Sequence, residues 1–208
     1  MRKLALVIIL LIATCLTACT EGIISSSAVP DSYAKCNTAL ADVYVPAEIY
    51  SSPEDYTGIV RQTFSDMSAV DKAKIELSNM LVEGTTGSDD YLFTSNKEFL
   101  YYTWASDNLY DWTSIDTNKI LSQVNINGLK ITDTGRLITS FELQKAILRV
   151  NFENTGFNGN AFQYQGYLTV IQAGSKSYYL ICGYCSATKE QLSSCFTTSK
   201  CFKIGGQG

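Results

Sequence analysis

From Tyr91 to Tyr184 the chain keeps returning to a two-residue rhythm, and this limits the fold more than any other feature. In Ala146-x-Leu148-x-Val150-x-Phe152 the apolar residues share one side while Arg149 and Asn151 turn the other way, the period of a strand half facing a core. Tyr91-Leu92-Phe93 and the run from Phe99 to Trp104 flank the polar turn Ser95-Asn96-Lys97, a hairpin pattern. Further strands are expected at Ile126 to Ile131, Leu137 to Leu143, Tyr167 to Gln172 and Ser177 to Tyr184. Turns are expected at Asn154 to Asn160 and at Ala173-Gly174-Ser175-Lys176. Strands that follow one another so closely pair antiparallel with their neighbours. The 13 tyrosines fit the same reading, because aromatic residues suit a pleated, half-buried surface.

Helical spacing lies on either side of this block. Ser52-Pro53-Glu54-Asp55 gives a cap, a proline at the first helical position and acids in the positive first turn, with Ile59, Val60, Phe64 and Met67 on one face. A second start at Ser68 leads through Val70, Ala73, Leu77, Met80 and Leu81 to Gly84. Near the end, Thr188-Lys189-Glu190-Gln191 is a capping box opening a short helix with Leu192, Cys195 and Phe196 on one face. Cys201-Phe202-Lys203-Ile204 reads as a closing extended piece. The class is α+β: an antiparallel sheet with N-terminal helices and a C-terminal helix.

The first nineteen residues have a different character. Arg2-Lys3, an apolar run from Leu4 to Ala13, and Leu16-Thr17-Ala18-Cys19 resemble a bacterial-type lipoprotein signal, in which a small-residue lipobox precedes the cysteine that receives lipid. The apolar run stops after about ten residues, half of what a spanning helix needs. Cys15 follows Thr14, a poorer lipobox match, and leaves with the signal. The resemblance implies lipidation at Cys19, export, and a membrane contact through that lipid on the extracytoplasmic side. Residues 1–18 are then the signal, 19–50, rich in Ser and Ala with Pro30 and Pro46, the lipidated N-terminus and a tether, and 51–208 one globular domain.

Composition excludes several function classes. A net charge of −4 gives no basic footprint for nucleic acid. With no histidine, the chain cannot build a Ser-His or Cys-His nucleophile pair or a His-ligated zinc. Asp89-Asp90 reads as a solvated turn before a strand rather than as a carboxylate pair for catalysis. The loop at Asn154 to Asn160 has only Glu153 as a charged neighbour, too little for calcium. No catalytic residue, cofactor or metal is assigned.

Cys182-Gly183-Tyr184-Cys185 resembles the motif of thioredoxin-fold oxidoreductases, which suggests a thiol-disulfide redox protein as an alternative function. Only 23 residues follow Cys185, fewer than that fold needs after its motif. If the stretch is a strand, the two side chains face opposite ways, about 10 Å apart, beyond the roughly 7 Å limit for a bridge. In an oxidising compartment Cys36, Cys182, Cys185, Cys195 and Cys201 are then disulfide candidates. Cys195 could pair with Cys201 where the chain reverses, and Cys36 with a strand cysteine. The spacing C-x2-C-x9-C-x5-C lacks the second close pair that marks a zinc site. Trp104, Tyr110 and Trp112 form a loop-associated group whose faces could stack on a glycan or other surface ligand.

Ser177 to Glu190, then Phe196, then Cys201-Phe202-Lys203-Ile204 resembles the end of PsbP-like domains: a core strand, a small-residue corner, a helix and a closing strand. Asn127-Gly128 and the strands around Leu148 and Tyr167 follow the same order. Cys201 stands where serine is usual, and the proline-tryptophan element near the front is missing. The resemblance implies an α/β/α sandwich that binds or assembles rather than catalyses. The expectation is a non-enzymatic, membrane-anchored domain that binds a protein or small ligand near the membrane.

Overall fold

The computed structural model describes Ile24 and residues 28–37, 40–48, 90–93, 99–126, 128–155 and 161–204. The two helices expected over 52–84, the lipobox with Cys19 and most of the turn at 154–160 lie outside these residues. The architecture is α+β. Strands β1 (Tyr33–Asn37), β2 (Ala41–Pro46), β3 (Asp90–Phe93) and β4 (Phe99–Ser106) precede the short helix α1 (Thr117–Leu121). Strands β5 (Leu129–Ser140), β6 (Lys145–Thr155), β7 (Ala161–Ala173) and β8 (Lys176–Cys185) follow, then α2 (Lys189–Cys201) and β9 (Lys203–Ile204).

Six strands form one antiparallel sheet in the order β3-β4-β8-β7-β6-β5. The expected hairpin β3–β4 is present, and β5 to β8 form the expected meander. The expectation that β4 also pairs with its successor is corrected: β4 pairs with β8, with Phe99 opposite Tyr184 and Ser106 opposite Ser177. Residues 107–128 must therefore cross one face of the sheet to reach the far edge. Trp112, Ile120 and Ile126 hold that crossing down as buried contacts. At five residues α1 is too short to stand alone, and its start is fixed by the Asp116 carboxylate accepting from the Lys119 backbone N–H at 2.9 Å. The strands expected at 126–131 and 137–143 are one strand, β5, ending at Ser140. Its register shifts between Ile131 and Asp133 and between Thr134 and Leu137, bulges that break the sequence period without ending the pairing.

The crossing segment covers a core of Leu100, Tyr102, Trp104, Leu148, Val150, Phe152, Leu168, Val170, Tyr179 and Ile181. The opposite face packs Phe99, Tyr101, Leu180, Cys182 and Tyr184 against α2 and a second sheet of order β1-β2-β9. Central strand β4 is thus covered on both sides, and Phe99 through Trp104 are all buried. The tether expected over 19–50 is corrected for residues 31–48. Ala41, Val43 and Val45 alternate inward and are almost fully buried, so the hairpin β1–β2 belongs to the domain. Lys35 and Asp42 close it with an ion pair of 2.9 Å.

Helix α2 begins as its capping box dictates, with the Thr188 hydroxyl accepting from Gln191 N–H at 3.2 Å and the Gln191 side chain accepting from Thr188 N–H at 2.8 Å. It runs back along β8 and buries Cys195, Phe196, Thr198, Ser199 and Cys201. Gly166 on β7 and Gly183 on β8 are register partners. A Cβ on Gly166 would lie 1.8 Å from the Cys182 carbonyl oxygen, and one on Gly183 would lie 2.8 Å from the Phe152 ring. The glycine pair lets the Phe152 ring, stacked on Tyr164 at 5.2 Å, lie against the sheet.

Candidate functional site

The three aromatics expected to offer open faces are corrected to core and near-core positions. Trp104 is buried and stacks on Tyr179, with centroids 4.8 Å apart and planes 4° apart. Trp112 is buried, and its indole N–H donates to Gln172 Oε1 at 3.1 Å. The same oxygen accepts from the Tyr110 backbone N–H at 2.8 Å. The hydroxyls of Tyr110 and Tyr179 meet at 2.9 Å. Burial, then this hydrogen bond, raises the Tyr110 phenol well above its ordinary range. The loop composition suggested exposure, but the crossing of the sheet needs apolar anchors, and these rings supply them.

The cysteines fall on both faces. Cys182 and Cys185 are in strand β8, Cys182 under α2 and Cys185 against the opposite core, so the motif's two sulfurs share no surface. Helix α2 starts at Lys189, and the Cys182 thiol meets it at Cys195 and Ser199, away from its positive end. Cys182 lies 4.2 Å from Cys195, and its thiol donates to the Cys195 carbonyl at 3.6 Å. Ser199 Oγ lies 3.7 Å from the same sulfur. Burial, with the Cys182 contact second, pushes the Cys195 thiol up and holds that sulfur away from the reactive thiolate form. The pairing expected between Cys195 and Cys201 is corrected. Both belong to α2 and are free, and six residues of helix separate them by about 9 Å along the axis. Cys36 stands in β1 opposite Val43, and its expected bond falls outside the described side chains. Among the described residues, no three His, Cys, Asp or Glu side chains gather as metal ligands.

At the C-terminal end of α2, Lys145 is only 4% exposed. Its Nζ donates to the carbonyls of Lys200 at 2.7 Å and Phe202 at 3.0 Å. These are among the carbonyls a helix end leaves unpaired, so the lysine acts as the cap of α2 from the start of β6. Burial pulls its pKa down to about 7, against the nearby Cys201, which raises it.

The surface is different at this end of the molecule. Among the described residues, Leu109 at 55%, Phe141 at 65% and Leu143 at 39% are the exposed large apolar side chains. All three lie at one end of the six-stranded sheet. Phe141 and Leu143 form the β5–β6 turn, which Gln144 closes with a positive φ of 42° and an N–H bond to the Phe141 carbonyl at 3.2 Å. The Gln144 carbonyl accepts from Gln172 N–H at 3.0 Å, fixing this turn beside the end of β7. Leu109 follows β4, where Ser177 Oγ donates to the Asn108 carbonyl at 2.6 Å and Lys176 pairs with Asp107 at 3.8 Å. With strands about 4.8 Å apart, the apolar points span on the order of 10–15 Å. Residue-by-residue reading missed this rim. Its one signal was that Phe141 and Leu143 have polar neighbours in Ser140-Phe141-Glu142-Leu143-Gln144, a composition equally good for a strand.

No protein-family model matches this chain, and a search of curated proteins finds no match.

Proposed function

We propose that the protein is a lipid-anchored extracytoplasmic protein whose domain binds a partner close to the membrane, in envelope or complex assembly, without catalysing a reaction. The observation that carries this is the rim: among the described residues the exposed large apolar side chains collect at one end, a surface for contact beside the membrane, while Trp104, Trp112, Cys182, Cys195 and Cys201 are packed inside. The lipobox pattern at Cys19 supports the address. The order β8, capped helix α2 and closing strand β9 supports the PsbP-like reading of the C-terminal part. The thiol-disulfide alternative draws less support, since Cys182 and Cys185 face opposite ways. Labelling cells with a palmitate analogue tests the reading. The full chain takes label and sediments with membranes, and Cys19→Ser loses both; label retained by Cys19→Ser overturns the anchor.

A further inference from the structure

We infer that the end of the sheet bearing Leu109, Phe141 and Leu143 rests on the same bilayer that holds the lipid of Cys19. The inference deepens the lipid-anchor reading and rests on it. Its geometric ground is the point where the chain enters the domain. Ile24 is buried among Ile138 on β5, Ile147 on β6 and Phe196 on α2. Ile138 and Ile147 are register partners. Phe141 is three residues beyond Ile138, so Ile24 sits about 10 Å from the rim.

Cys19 precedes Ile24 by five residues, and a chain of that length reaches at most about 18 Å. The opposite end of the sheet is out of range. From Ile147 to Thr155, the end of β6, is eight residues, or about 27 Å of strand. A cysteine held at the bilayer surface therefore puts the rim within reach of that surface and the Thr155 end out of it. A sideways pose on the β5 edge gains less, because among the described residues from Leu129 to Ser140 no large apolar side chain stands exposed to enter the bilayer.

The chemistry of the rim matches a lipid interface. Phenylalanine and leucine gain by entering the boundary between headgroups and acyl chains. Exposed Lys176 and Lys203 can lay their stems along it with their ammonium groups among phosphates. Asp107 and Glu142, also exposed, oppose deeper entry, so contact stays shallow. A second, weaker attachment beside the lipid also fixes orientation, which a flexible link alone does not do.

Quenching by brominated lipid reads this directly. The full chain, purified with its lipid, is placed in phosphatidylcholine and phosphatidylglycerol vesicles with or without bromine on the acyl chains. Trp104 and Trp112 are buried in the domain and give the baseline. Phe141→Trp, at a side chain already mostly exposed, adds an emission that brominated lipid quenches, and Leu109→Trp does the same from the other side of the rim. Lys189→Trp, on the opposite end, adds an emission that the bromines leave unchanged. Vesicle-bound protein in which Trp at 141 and 109 is quenched no more than Trp at 189 overturns the inference while leaving the lipid anchor standing. That result together with crosslinking of the rim to a membrane protein assigns the rim to that protein instead. Protein that takes no palmitate label and stays off the vesicles overturns the anchor and this inference together.

Discussion

At Lys145 a nearly inaccessible amine faces two carbonyls of a helix end, an arrangement with a consequence for pH. Burial has lowered its pKa from 10.5 to about 7. Between those values the unfolded chain holds more protons than the folded one, so stability rises with pH from about 7 upward and is lower by the full amount below it. We expect unfolding in urea to show a gain of roughly 2 kcal/mol from pH 7 to pH 9 in the wild type. In Lys145→Met the gain is absent, and the loss of both carbonyl partners lowers stability at pH 9 by about 1–3 kcal/mol. An unchanged slope in the variant would remove the assignment. Nothing in the sequence marked this residue. Lys145 follows a polar turn and looks solvated, and only the return of α2 across β6 encloses it. Cys182 and Cys185, by contrast, were legible, because strand alternation alone sends their side chains to opposite faces, whatever packs on them.

At the scale of elements, legibility followed the range of the forces involved. The capping box of α2 and the β7–β8 turn are local, and Thr188, Gln191 and Gly174 (φ 59°) specify them within a few residues. The partner of β4 is not local. Its run from Phe99 to Trp104 is apolar on both sides, which says that the strand is central but not which strand lies beside it. The small sheet was hidden for a related reason: Val43 and Val45 are buried by α2 and Phe202, which come from the other end of the chain. The glycine pair ties these elements together. Gly166→Ala would drive a methyl to within 1.8 Å of the Cys182 carbonyl oxygen, which the β7–β8 ladder cannot relieve by side-chain motion. We expect a loss above about 3 kcal/mol, read as a lowered midpoint or absent near-ultraviolet dichroism, because backbone rather than a rotamer must move. A variant with wild-type stability would show that the two strands separate there at little cost.

For the molecule as a whole, the domain begins before residue 51. Removing residues 31–48 would uncover Phe202, Cys195 and Tyr101, all buried beside the small sheet. A chain lacking that hairpin is expected to aggregate or melt well below the full-length protein in thermal dichroism, whereas a true tether would be dispensable. Equal melting would restore the tether. The candidate rim was the least legible feature of all. It consists of three side chains from two loops that become neighbours only when β7 and β8 bring Gln172 and Ser177 between them. The strand order also bears on how such a protein is made. Phe99 must wait for Tyr184, and Ala41 for Ile204, so in a chain emerging N-terminus first β4 and β2 lack these partners until β8 and β9 are out. Under the export proposed above this delay is useful: a chain that cannot finish folding early remains thin enough to thread a translocation channel.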